Sequence, residues 1–445
     1  MDMCNGPLFG KIILYTVPVI LTGILQLLFN AADLLVVGRY CGSVSVAAVG
    51  ATSSLTALLV NLFIGLSVGA GVLVAQAIGA KDDDRVHKVV HTAIPVAILG
   101  GAFLSIIGVC FSGQFLQWMD SPADVLPLST IYMRIYFAGM IFTMLYNYGA
   151  AILRAAGDTA RPLAYLAIAG VLNVGMNIFF VTVLDMNVAG VALATTLSQG
   201  VSALLVLIAL MRRNDACKLI LKKMKIHGAA LKRMLYIGIP AGIQNSLFAI
   251  SNVLIQSSIN SFGSVVMSGN AAGSTIESFV YTSMNAFHQA ALNFTGQNVG
   301  AQKYDRVRKV AGICVCSVTV VGAVLGFIAW IFSKPLLGLF ITDSKEAIHY
   351  GILKLTYVCL PYFLAGIMDV LGGAIRGLGV SLQPMIVTIL GVCGFRIAWI
   401  FTIFQLPAFH NPKWLYLSYP ISWTITGIAL AITFIILMRK RRKLS

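Results

Sequence analysis

Long apolar runs separated by short polar breaks fill this chain from end to end. Twelve of them reach spanning length, over residues 10–38, 46–78, 89–111, 128–153, 162–184, 188–211, 232–258, 267–299, 309–333, 348–375, 384–406 and 416–438. About 20 mostly apolar residues carry a helix across a bilayer, so the pattern predicts an all-α integral membrane protein of twelve transmembrane helices. A longer period lies over this one. Gly79-Ala80-Lys81-Asp82-Asp83-Asp84-Arg85-Val86 returns as Gly300-Ala301-Gln302-Lys303-Tyr304-Asp305-Arg306-Val307, an offset of 300 − 79 = 221. Pro18, Arg154, Gly157 and Pro162 return as Pro240, Arg376, Gly379 and Pro384, each offset by 222. Repeats of this kind mark a duplicated unit. The expected organisation is therefore two six-helix pseudo-symmetric lobes, 1–211 and 232–438, joined by a linker over 212–231 and followed by a basic tail, 439–445. An even helix count per unit leaves both lobes in the same orientation, as in transporters built from parallel repeats, with substrate expected between them near mid-membrane.

Composition and charge narrow this further. With 58% hydrophobic and 10% charged residues and a mean hydropathy of +0.90, no ordinary polar surface can be built. The net charge of +16 does not indicate a nucleic-acid partner, because the Lys and Arg lie in the breaks rather than on one face. Lys81 to Lys88, Arg154 to Arg161, Arg212 to Arg233, Lys303 to Lys309, Arg376 and Arg439 to Lys443 hold most of them; the alternate breaks carry Asp120, Asp124, Asp185, Asp343 and Glu346 beside few cations. By the positive-inside rule both termini are cytoplasmic, in a plasma or inner cell membrane whose anionic lipid the tail would bind. The first run continues past Val37 with no small-residue cleavage site, so it reads as a spanning helix rather than a signal peptide. The eight cysteines lack paired spacing and read as small hydrophobes, with no disulfide or metal framework.

One carboxylate stands inside the first run, in Phe29-Asn30-Ala31-Ala32-Asp33-Leu34-Leu35. A charge well inside hydrocarbon costs roughly 2.5 kcal/mol or more, so such a group ordinarily faces a protein cavity in transport or proton relay; a purely structural acid is the competing reading. Counting from the paired prolines, Asn30 matches Asn252 while Asp33 falls opposite Ile255. Only one lobe carries the acid, which favours function over scaffold. Glu277, Asp369 and Arg396 also lie inside apolar runs, where an Asp369–Arg396 structural ion pair and a coupling role are both open. His288 is a candidate for the same cavity, a packing role being its alternative. Tyr146 belongs with the aromatics that could form an adaptable wall or ordinary core. No HExxH, GxSxG or GK[ST] phosphate loop occurs. Neither enzyme chemistry nor ATP-driven transport is indicated, and no cofactor beyond a coupling ion is expected.

Together with Pro18 and Asp33, the segments Gln76-Ala77-Ile78-Gly79-Ala80, Gln297-Asn298-Val299-Gly300-Ala301, Leu153-Arg154-Ala155-Ala156-Gly157-Asp158, Asn173, Asn177 and Gly190-Val191-Ala192-Leu193-Ala194-Thr195-Thr196 resemble the multidrug and toxic compound extrusion (MATE) transporters of the multidrug/oligosaccharidyl-lipid/polysaccharide exporter superfamily. The resemblance spans nearly the whole chain. It implies a monomeric antiporter that exports cationic amphipathic compounds in exchange for H+ or Na+, with Asp33 as coupling acid and Asn173 and Asn177 as its neighbours, able to hold Na+ with it. Asn173 and Asn177 are four residues apart, on one helical face; interhelical hydrogen bonding is their alternative role. The seventh-helix Glu of many members is absent here, where Gln244, Asn245 and Phe248 stand. A flippase for lipid-linked oligosaccharide would share the bundle, and Arg396 is the one strong candidate for holding its pyrophosphate.

Overall fold

The computed structural model describes residues 1–119, 122–341 and 344–442; Asp120, Asp343 and the tail residues 443–445 lie outside them. The helices are α1 (Leu8–Tyr40), α2 (Ser43–Gly79), α3 (Asp83–Trp118), α4 (Leu126–Ala138 and Met140–Ala155, bent by 47°), α5 (Ala160–Ile178, widening into a π turn to Val183) and α6 (Asn187–Met211). After the linker come α7 (Gly228–Asn260), α8 (Ser264–Gly300), α9 (Tyr304–Ile331), α10 (Lys345–Cys359 and Phe363–Gly377, bent by 42°), α11 (Leu382–Gln405) and α12 (Pro412–Arg442). Among the described residues nine helices are long and apolar enough to cross a membrane, and eleven when each bent pair counts once. The twelfth is α8, too polar for that test because Asn270, Asn293, Thr295, Gln297 and Asn298 are buried along it. Several helices outrun their apolar stretches. The α3 helix starts six residues before its expected span, for instance, because Asp82 caps it by accepting from the Arg85 backbone N–H.

The duplication is visible in the backbone. The two bends fall at Gly139 and at Leu360–Tyr362, which are repeat partners. Left-handed φ values recur in pairs: Lys81 (54°) with Gln302 (57°), Gly42 (87°) with Gly263 (92°), and Gly157 (80°) with Gly379 (83°). At Gly157 and Gly379 the chain turns out of a helix that Arg154 and Arg376 close. Glycine takes that turn without the strain a Cβ would bring.

Two compact units emerge: Met1 with Leu21–Ser246, and Asp2–Ile20 with Leu247–Ser445. The opening stretch of α7 thus belongs with the first unit, and that of α1 with the second. Within the first unit, Gly65 and Gly69 on α2 meet Gly238 and Gly242 on α7. A Cβ at Gly65 would fall 2.2 Å from the Gly242 nitrogen, and one at Gly69 2.3 Å from the Met234 oxygen. Four-residue spacing of small residues lets helix backbones touch in this way. Within the second unit Tyr15 packs edge-on to Phe294 at 5.6 Å and accepts from Asn293 Nδ2 at 2.7 Å.

The linker lies against the start of α3. His91 Nε2 accepts from the Ile220 N–H at 3.0 Å, which requires the proton on Nδ1, and that nitrogen donates to the His87 carbonyl at 2.8 Å. Thr92 Oγ1 accepts from the His227 N–H at 3.1 Å, and the Arg213 guanidinium grips Asp215, holding its carboxyl below the usual range. His87 stacks on His91 with ring centroids 3.7 Å apart; burial, His91 and Lys223 hold its pKa below the ordinary value of 6.5. A histidine whose folded pKa is depressed leaves docking intact above the unfolded pKa and weakens it as pH falls through that value. Hydrogen exchange at the Ile220 and His227 amides, corrected for intrinsic rate, should therefore rise as the pH is lowered from 7.5 to 5.5, and His87→Gln should flatten that rise. His91→Ala should speed exchange at Ile220 roughly five- to tenfold at either pH, the loss of one hydrogen bond.

Candidate functional site

Asp33 sits late on α1, where Phe29 has already fixed the approach of α5. A Cβ at Gly170 would strike the Phe29 ring at 1.8 Å, so only glycine admits it. One and two turns further on, α5 presents Asn173 and Asn177, both buried. Asn177 Nδ2 donates to Asp33 Oδ1 at 2.5 Å and to Asn173 Oδ1 at 3.2 Å. Asn173 Nδ2 donates to Thr195 Oγ1 on α6 at 3.3 Å, and Thr195 Oγ1 reaches Asp33 Oδ2 at 3.3 Å. Four side chains from three helices close a ring in which both carboxylate oxygens accept. Among the described residues no Lys, Arg or His pairs with Asp33. Asn177 Oδ1 is enclosed and unpartnered, an acceptor held in reserve. Tyr132 and Tyr136 of α4 lie within electrostatic reach of the acid.

Thr195 is the residue that sequence reasoning missed as a site member. Its signal was two adjacent threonines, Thr195-Thr196, inside an apolar helix. Asn30 is exposed and stays out of the ring. Tyr146 is buried with its hydroxyl donating to the Pro162 carbonyl at 3.3 Å, eleven residues before Asn173 on α5.

The remaining candidates lie in the second unit and form three groups. Glu277 of α8 pairs with Lys354 of α10 at 3.1 Å, and Lys354 also donates to Ser274 Oγ. Lys354 was not singled out from sequence, although it is a cation inside the expected 348–375 span. His288 bonds through Nδ1 to the Asp369 carbonyl at 2.7 Å, its backbone close under Gly373. The Asp369–Arg396 ion pair considered from sequence is not formed. The basic residue acting on Asp369 is Arg376 on the same helix, whereas Arg396 turns to α12, where its Nε donates to Ser422 Oγ at 3.1 Å and its guanidinium lies 4.0 Å over the Tyr419 ring. Aromatic stacking on α12 places Arg396 away from Asp369.

A duplicated bundle of spanning helices, with a carboxylate late in the first of them held by an amide and a hydroxyl and paired with no cation among the described residues, defines a polytopic membrane transporter. The MatE family model matches residues 18–179 and 240–402, two copies starting 222 residues apart as the paired prolines do, and the chain belongs to that family. It is 28% identical over 393 residues to the probable multidrug resistance protein YoeA of Bacillus subtilis, covering 86% of this chain and 84% of that one. To the probable multidrug resistance protein YpnP of the same organism it is 29% identical over 390 residues, covering 87% of each. The structure superposes on an outward-facing multidrug resistance MATE family transporter of the MOP superfamily with a TM-score of 0.92 at 20% identity, over 99% of this chain and 98% of that one.

Proposed function

We propose that the chain is a secondary multidrug antiporter that exports cationic amphipathic organic compounds in exchange for H+ or Na+, with both termini in the cytoplasm. The carrying observation is that Asp33 has both oxygens held by donors from α5 and α6 yet, among the described residues, no cationic side chain pairs with it. A carboxylate in low dielectric needs a countercharge or a proton, and here that partner has to be mobile. Relatives named as multidrug resistance proteins support the export of drug-like compounds.

The ring can serve both states of the acid. Ionised, Asp33 accepts from Asn177 and Thr195. Protonated on Oδ2, it donates to Thr195 Oγ1, and the threonine hydroxyl turns to the Val191 carbonyl 3.0 Å away. Bound H+ and bound organic cation or Na+ thus exclude each other at one carboxylate. Competition of this kind suffices to couple opposed movements. In proteoliposomes an imposed ΔpH or sodium gradient should drive ethidium transport; if neither gradient is dissipated by ethidium or other candidate cations, the reading fails. Thr195→Ser should keep most of the rate and Thr195→Val should lower it about tenfold, since the latter leaves Oδ2 without its hydroxyl partner.

A further inference from the structure

At several matched positions the two copies of the repeat differ in charge. Where the first unit has Asp33, the second has buried Ile255; where it has Tyr132 near that acid, the second has Lys354; and where it has Val174, beside Asn173, the second has Arg396, each pair 222 residues apart. Among the described residues the second unit buries three cations, Lys354, Arg376 and Arg396, with Glu277 and Asp369 half-buried in the same spans. Lys354 is taken up by Glu277 and Ser274, and Arg376 acts on Asp369. Arg396 is bonded to neither acid among the described residues.

Its geometry is that of a receptor for a planar anion. Arg396 is 4% exposed. Ser422 takes its Nε, and Tyr419 supports the face of the guanidinium, with Trp423 5.6 Å away. Among the described residues Nη1 and Nη2 have no acceptor, and neither is one of the fully enclosed unpartnered atoms. Both therefore open onto reachable space. Glu277 acts on the guanidinium electrostatically, but it is already paired to Lys354 and does not bond to Arg396. A buried guanidinium whose stem is fixed on one side and whose two terminal nitrogens are free presents the fork that a carboxylate fills bidentately. Water can reach those N–H groups, and a ligand carboxylate replaces it there with two charge-assisted hydrogen bonds.

We propose that Arg396, positioned by Ser422 and Tyr419, is a subsite of the second lobe that binds the carboxylate of an amphoteric transported compound. This rests on the antiport reading and adds an anionic group to its cationic substrates. The test uses equilibrium binding to the detergent-purified full chain without any gradient, so that it is read separately from coupling. The probes are rhodamine B, which joins a xanthylium cation to a free carboxylate, and its ethyl ester, which keeps the cation and masks the carboxylate. The wild-type chain should bind rhodamine B about tenfold more tightly than the ester. Arg396→Gln should remove that preference, and Arg396→Lys, which keeps the charge without the fork, should retain an intermediate one. Should Arg396→Gln fail to elute as a single folded species, the intermediate preference of Arg396→Lys decides alone. No preference in the wild-type chain, or an undiminished preference in the substituted ones, overturns the proposal.

Discussion

Asp33→Asn is expected to reduce gradient-driven ethidium efflux to the leak of empty vesicles, a loss of roughly 100-fold, at the upper end of typical coupling free energies. The same variant should fold as well as the wild-type chain. Its remaining Oδ1 still accepts from Asn177, while its new amide donates to Thr195 Oγ1 and the threonine hydroxyl turns to the Val191 carbonyl. Every ring member keeps a partner, so stability should move by no more than about 1 kcal/mol. What the variant lacks is the charge that proton and cation compete for. Rates near wild type in a properly inserted variant would take Asp33 out of the coupling step.

Lys354→Met should destabilise the second unit by about 3–5 kcal/mol, because it leaves the Glu277 carboxylate half-buried without its 3.1 Å partner. Glu277→Gln alone leaves the 6% exposed ammonium with neutral acceptors, Ser274 Oγ and the new amide oxygen, and should destabilise as well, though less. The double variant Lys354→Met with Glu277→Gln should recover most of the loss, since replacing a whole buried pair is often near neutral. Thermal unfolding of the four proteins in one detergent measures this cycle. Losses that simply add would mean that the two residues do not act as a pair.

How much of this was legible in sequence depended on whether the signal was periodic or spatial. Hydropathy runs and the 222-residue offset displayed the twelve-helix, two-copy architecture, because bilayer thickness and duplication both write themselves linearly. Asp33 stood out by its own improbability in an apolar run, and Asn173 with Asn177 by sharing a face. Thr195 did not stand out, since a threonine in a spanning helix is common and only the fold brings it to Asp33 Oδ2. The choice of partners in the second unit was likewise spatial. Nothing linear distinguishes Lys354 from Arg396 as the companion of Glu277, nor shows that Tyr419 would draw Arg396 off from Asp369. The bends of α4 and α10 were hidden by unbroken hydropathy, yet their matching positions at Gly139 and Pro361 followed from the repeat.

The trading of opening segments between the compact units bears on how the polypeptide is made. A ribosome that had released only residues 1–211 would have supplied the first unit without 212–246, which includes the stretch bearing Gly238 and Gly242 that Gly65 and Gly69 await. Conversely, a second half synthesised from residue 232 would emerge without Tyr15 to meet Asn293 and Phe294. Severed halves therefore cannot mature one after the other as self-sufficient modules; each must wait for a strand of peptide that its sibling carries.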